Sequence, residues 1–251
     1  MSVKWMSLRV PEIPNGIDAA LTTDQRAKEV AATLNPPRVD RMSAAGRCYR
    51  ERWFSFRGFE MDERGGFASN PRLLRIFRLG HIIEDEVVKL LGEAGFTVKD
   101  QQLEVGAGDD WLGHIDGLID MGRGGVPDWC LLEIKSANAA RFDLLRELDS
   151  YEAWNAGYAA QIQAYLYHLN GISDAIVIVY NKDTSELYVE RIWFDIDVAR
   201  MLEKQSALVT AEGNVPPPRP PDAKTQYGQF CKWCDYNATC WGGAVEVEFD
   251  G

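Results

Sequence analysis

The 251-residue chain is 46% hydrophobic with a formal net charge of -11, which is enough apolar material for one large α/β domain, or for one domain with a small appendage. No apolar run approaches the roughly 20 residues that cross a bilayer, and the opening MSVKWMSLRVPEIPNG lacks the apolar core of a secretion signal, so a cytoplasmic protein without a membrane partner is expected. The acidic balance speaks against indiscriminate polyanion binding, and five cysteines in such a chain point to metal binding or core thiols rather than disulfides.

Residues 1–20, with Pro11, Pro14 and Gly16, read as an irregular arm. Thr23 is the expected N-cap of a short helix that runs to Leu34 and is ended by Asn35-Pro36-Pro37. Arg41 to Phe56 is predicted helical, with Ser43 as its cap and Cys48 inside a basic and aromatic stretch, CYRERWF. Between Arg41 and Arg78 nine arginines (41, 47, 50, 52, 57, 64, 72, 75, 78) stand against four acids (51, 60, 62, 63). That is either a phosphate-binding wall or a solvated helix face. Arg57 to Asn70 is Gly-rich and predicts a loop. Pro71 then starts an amphipathic helix to about Ala94, with Leu74, Phe77, Ile82, Val87, Leu90 and Leu91 at helical spacing and Gly95 as its end.

Phe96 to Val105 reads as a strand. It leads into WLGHIDGLIDMGRGGVPDWCLLEIKS, Trp111 to Ser136, where apolar runs Leu112–Met121 and Trp129–Ile134 flank a Gly/Pro turn and predict a hairpin. Residues two apart on a strand share a face, so Glu133 and Lys135 point one way while Cys130, Leu132 and Ile134 point the other; His114 and Asp116 are expected to share a face too. Cys130 is then a core thiol. Two carboxylates with a lysine beside them suit a hard divalent cation and a water to be deprotonated, although a solvated surface hairpin carries the same charges.

Helices are expected over Arg141–Asp149 and Gly157–Leu169, strands over Ala175–Tyr180 and Leu187–Phe194 around an Asn181–Thr184 turn, and a last helix over Asp195–Glu212. Tyr158, Gln161 and Tyr165 fall on one helical stripe, and His168 near the helix end suits a C-terminal cation. PPPRPP at 216–221 predicts an extended linker leading to CKWCDYNATC, and an acidic tail follows. Three clustered cysteines with Cys48 upstream can bind zinc or an iron-sulfur cluster. The element order is that of an α/β fold, a central mixed β-sheet flanked by helices, with a C-terminal Cys-cluster segment.

His81, then Gly113-His114-Ile115-Asp116-Gly117, then Glu133-Ile134-Lys135, then Gln161-x-x-x-Tyr165 resembles, in order and spacing, the RecB-like exonuclease branch of the PD-(D/E)XK nuclease superfamily, with Ile115 where the superfamily's name has proline. The resemblance implies a restriction-endonuclease-like core over residues 41–215, an arm and short helix over 1–40, linker and Cys cluster over 216–241 and a tail over 242–251. It implies His81, Asp116, Glu133 and the Ile134 carbonyl as ligands of Mg2+ or Mn2+, and Lys135 with Glu133 and Asp116 as the catalytic set. Gln161, Tyr165 and Tyr158, with Arg50 and Arg52 from the arginine-rich region, would contact DNA or steady the site. One remote and three clustered cysteines resemble the iron-sulfur nucleases of this branch, among them CRISPR-associated and AddB-type exonucleases. By that resemblance Cys48, Cys231, Cys234 and Cys240 would hold a 4Fe-4S cluster, with structural Zn2+ as the alternative. The function implied is a metal-dependent exonuclease on single-stranded DNA or duplex ends, in recombination, repair or CRISPR adaptation, with a helicase, recombinase or integrase partner. The alternative is a non-catalytic DNA-binding or partner-docking subunit.

Overall fold

One strand, β6 (Trp129–Ala137), forms the spine of a mixed five-stranded sheet. In this computed structural model, which describes residues 12–34, 39–62, 70–106, 110–122, 126–228 and 231–242, the chain divides into two compact units. Residues 1–37 with 63–79 form one, and 38–62 with 80–251 the other.

The first unit contains α1 (Glu12–Leu34). The helix begins eleven residues before the expected cap at Thr23, and the predicted irregular arm is helical from Glu12 onward. Pro14 sits in the first turn, where a missing N–H costs nothing. Thr22 and Thr23 donate their hydroxyls to the carbonyls of Asp18 and Ala19, so they sit within the helix rather than capping it. Arg75 pairs with Asp18. The expected arm over residues 1–11 lies outside the described residues, as do Arg64 and the tail from 243.

In the second unit the predicted helix from Arg41 is replaced by β1 (Asp40–Arg41), a 3-10 turn at Met42–Ala44, and α2 (Tyr49–Phe56), with Cys48 as N-cap and Ser43 inside the turn. Helix α3 (Pro71–Glu93) falls in the first unit up to Leu79 and in the second from Gly80, and Gly95 beyond it takes φ +88°, a conformation glycine adopts without strain.

The predicted strand over 96–105 is only two short pieces, β2 (Val98–Lys99) and β3 (Glu104–Val105). Asp100 and Gln102 between them have positive φ, 54° and 56°, which breaks any continuous ladder. The predicted strand over 112–121 is likewise broken. β4 (Trp111–His114) pairs with β1 and β3, while β5 (Gly117–Asp120) joins β2 and β6 in the larger sheet. Ile115 at the break has both backbone groups satisfied by the 100–103 turn: its N–H donates to Leu103 at 3.1 Å and its carbonyl accepts from Gln102 at 2.9 Å. His114 and Asp116 therefore do not share a strand face; His114 is exposed, 3.6 Å from Glu104.

The larger sheet runs β2-β5-β6-β7-β8, with β7 (Asp174–Asn181) parallel to β6 and β8 (Leu187–Trp193) antiparallel to β7. Cys130, Leu132 and Ile134 pack with Ile119, Ile176 and Ile178 against Ile83 and Val87 of α3. Leu131, Val177 and Val179 face the opposite way, into a core formed with α4 (Ala139–Leu148), α5 (Tyr151–Trp154), α6 (Ala156–His168) and α7 (Ile196–Thr210). With both faces covered, the strands are near-continuous apolar runs, and each fully buried branched side chain contributes about 1.5–3 kcal/mol. Asn138, Ser150, Asn155 and Asp195 cap α4, α5, α6 and α7 through their side chains. The fold is thus mixed α/β, helices on both faces of a mixed sheet.

Gly113 explains how α6 reaches β4: a Cβ there would lie 2.4 Å from a ring carbon of Tyr165, so only glycine admits that ring. After the proline segment the chain forms turns and α8 (Asn237–Trp241), whose first N–H groups are held by Asp62.

Candidate active site and cysteine cluster

Register brings the two acids together. Gly117 pairs with Leu132 in the antiparallel β5–β6 ladder, so Asp116, one residue before β5, stands across from Glu133. Asp116 Oδ2 accepts a hydrogen bond from the Ile134 N–H at 2.7 Å. Glu133 is fully buried, at 0% exposed, and apart from Lys135 neither of its oxygens has a partner among the described residues. Its one charged partner is the Lys135 ammonium.

The electrostatics follow from burial. Desolvation lifts Asp116 to about 6 against the pull of Lys135, with Glu84 adding to the rise. Desolvation also lifts Glu133 to about 7, again against Lys135, and the charge of Asp116 pushes the same way. Burial works against the Lys135 ammonium, but Glu133 and Asp116 outweigh it and hold its pKa above the usual lysine range. Two buried acids thus share one ammonium, a cluster one positive charge short. Buried charge needs compensation, and a divalent cation would supply it.

The other expected residues divide. Gln161 and Tyr165 are buried, the Gln161 amide donating to the Tyr165 hydroxyl at 2.9 Å. Burial and then the charge of Glu133 push the Tyr165 phenol up. These side chains line the interior behind the acids and are too enclosed to lie along a nucleic-acid strand. Tyr158 presents its ring 5.1 Å from Lys135 Nζ. His81 is not brought to the acids: its side chain is 79% exposed and its near acid is Glu84, at 3.7 Å. One turn further along α3, Glu84 is the group whose charge reaches Asp116, and it accepts from the Gln102 amide at 2.7 Å.

Glu84 and Tyr151 are the residues coupled by charge to the acids to which sequence reasoning gave no role. Glu84 was visible one turn after His81, on the same helical side. Tyr151, fully buried with its hydroxyl unpartnered among the described residues, is raised by burial and then by Glu133; no spacing pointed to it.

Three of the nine arginines, Arg50, Arg52 and Arg57, are committed to the fold, while Arg41, Arg72, Arg75 and Arg78 are exposed. Arg52 is buried and ion-paired with Asp40, its Nε 2.9 Å from Oδ1, while Ser206 donates to Oδ2 at 2.7 Å. Arg50 donates to the Pro217 carbonyl and, at 3.1 Å, to Cys240 Sγ. Arg57 is bound to the Ala211 and Gly213 carbonyls. Trp53, Phe54 and Phe56 are buried, with Trp53 and Phe54 packed against Tyr236, so none offers a face to a base. The interleaving of Arg and aromatic residues arises because α2 packs one face into the cysteine segment and ties its cations to buried acids and chain carbonyls.

Cys48, Cys231, Cys234 and Cys240, all free thiols, line one pocket with Arg50, Phe54 and Asn237. Burial raises Cys48 and lifts Cys234 to about 12, and each is pushed further by neighbouring acid and thiol charge. Among the described residues no three His, Cys, Asp or Glu side chains converge on a point as the ligands of a single ion do. Cys130, buried in the sheet core and lifted to about 12 by burial, stands apart from the other cysteines as a core thiol.

No family model and no curated protein matches the sequence. Among solved structures, the crystal structure of SSO0001 is 16% identical, covering 93% of this chain and 98% of that one, with a TM-score of 0.49. The alkaline exonuclease LHK-Exo from Laribacter hongkongensis is 15% identical over 67% of this chain and 88% of its own, with a TM-score of 0.44. Its complex with dAMP is 16% identical, over 68% and 89%, also at 0.44.

Proposed function

We propose that the chain is a metal-dependent deoxyribonuclease of the RecB-like type, an exonuclease hydrolysing phosphodiester bonds of single strands or duplex ends in recombination, repair or CRISPR adaptation. The observation that carries this is the buried cluster of Asp116, Glu133 and Lys135, two acids across a strand pair with one ammonium between them.

The donor set suits Mg2+ or Mn2+, because Mg2+ keeps several waters and takes one or two carboxylates rather than an all-protein cage. Asp116, Glu133 and the Ile134 carbonyl would hold it, with Glu84 adding negative charge near Asp116. When bound, the ion would act as a Lewis acid on the phosphate and lower the pKa of water. Lys135, kept protonated by the acids, donates to the attacking water and balances phosphate charge. Gln161 and Tyr165 fix the wall behind Glu133, and Tyr158 holds the Lys135 ammonium against its ring.

The four cysteines are proposed to hold a 4Fe-4S cluster as a staple between α2 and the C-terminal segment. Their shared pocket supports this, as does the Arg50 guanidinium directed at Cys240 Sγ, which offsets thiolate charge.

The test is cleavage of end-labelled single-stranded and duplex DNA with Mg2+ or Mn2+ by wild type, Lys135→Ala and Glu133→Ala. Cutting by wild type that both substitutions abolish is expected. Retention of DNA without cutting, by pure metal-replete wild type, overturns the enzyme in favour of a binding or docking subunit.

A further inference from the structure

Near the two acids lies a donor that no group among the described residues receives. Tyr151 is fully buried, and its hydroxyl makes no hydrogen bond among the described residues. Leaving a buried hydroxyl unpaired costs about 1–3 kcal/mol, so such a group in a folded core calls for a partner.

The ring is held firmly where it is. Its backbone N–H donates to Glu190 Oε2 at 2.7 Å, and the same oxygen accepts the Tyr188 hydroxyl at 2.7 Å. The ring packs against Trp154 and Tyr158, at 5.7 and 6.3 Å between centroids, and Tyr158 is the residue whose ring faces Lys135. The charge that acts most on the phenol is that of Glu133, with Asp116 behind it. A tyrosine hydroxyl carries its proton at neutral pH, and beside a buried carboxylate it serves as a donor. Glu133 Oε1 meanwhile meets the Lys135 ammonium, while its buried Oε2 accepts no hydrogen bond among the described residues.

We propose that the Tyr151 hydroxyl donates to a water held against Glu133, and that Tyr151 is thereby a positioning residue for the water that Lys135 orients. A buried water needs two to four polar partners. Tyr151 as donor, Lys135 as donor and Glu133 as acceptor supply three. A neutral donor suits the place, since it fixes the water oxygen without adding a second buried cation to compete for the acids. The catalytic half of this inference rests on the nuclease reading; the placement of the water does not.

Two measurements on the full-length protein, wild type and Tyr151→Phe, separate them. In crystal structures resolved well enough to show ordered water, wild type should show one within hydrogen-bonding distance of Tyr151 Oη and Glu133, and the Phe variant should lose or displace it. In DNA cleavage, kcat of the variant should fall about tenfold, the value of one hydrogen bond, with KM, calorimetric Mn2+ affinity and melting temperature unchanged. Tyr151 Oη bonded directly to a protein acceptor, or the same water and the same kcat in the Phe variant, overturns the inference. If wild type cuts no DNA, the nuclease reading and the catalytic role fall together, while the water in the crystal still decides what Tyr151 binds.

Discussion

Asp116 is bound to the backbone of the residue that separates Glu133 from Lys135: its Oδ2 accepts from the Ile134 N–H at 2.7 Å. A strand end in one hairpin arm is thereby locked to the alternation of the other. An asparagine can keep that acceptor while losing the negative charge. Asp116→Asn should retain its melting temperature within a few degrees and lose at least about 100-fold in DNA cleavage, since on the proposed function a charged group that would hold the ion is gone. Unchanged cleavage would remove Asp116 from the catalytic set.

The raised acids give a pH dependence with a definite sign. In the metal-free protein Asp116 rises from 3.8 to about 6 and Glu133 from 4.5 to about 7. Between about pH 4 and 7 the folded state then binds more protons at these sites than the unfolded state does. Their stabilising contribution is therefore complete below the unfolded values and lost as pH rises through the folded ones. Each pKa unit corresponds to about 1.4 kcal/mol. Relative to Glu133→Gln, metal-free wild type should lose melting temperature from pH 4.5 to 7.5, and saturating Mn2+ should restore it. Parallel pH profiles for the two proteins would contradict this origin of the shift.

Arg52 belongs to the core, and its substitution should act on folding alone. It joins α2 to Asp40 of β1, which also accepts from Ser206 of α7. Breaking a buried pair by removing one partner leaves an uncompensated charge and costs about 3–5 kcal/mol. Arg52→Ala should show that loss in urea unfolding. At a temperature where the variant remains folded, its DNA affinity and the salt dependence of that affinity should match wild type. A flatter salt dependence would return Arg52 to the DNA-binding surface.

Purified without oxygen, the protein should be brown, carry iron and sulfide, and absorb in the visible through thiolate-to-iron charge transfer. Alanine at Cys48, Cys231, Cys234 or Cys240 should remove the colour, and Cys130→Ala should keep it, because Cys130 lies in the sheet core. A colourless protein containing one zinc per chain would reject the cluster.

Local patterns in the sequence determined the alternation of β6, the β7–β8 hairpin and the helices that follow. These elements are set by residue spacing and by caps such as Asp195, which act over a few positions. The same alternation placed Glu133 and Lys135 on one face and Cys130 on the other. Tertiary structure decided where the strand through Ile115 breaks, because that break is held by backbone bonds from the 100–103 turn and by two sheets competing for one stretch of chain. It also decided which charges are free. Arg52 and Arg50 look like phosphate ligands in one dimension, yet three-dimensional packing commits them to Asp40 and to the cysteine segment. That His81 is exposed while the charge of Glu84 reaches Asp116, and that the charge of Glu133 reaches Tyr151, depend on how whole helices seat on the sheet. Seating of that kind is set by the summed burial of many apolar side chains, which no short motif encodes.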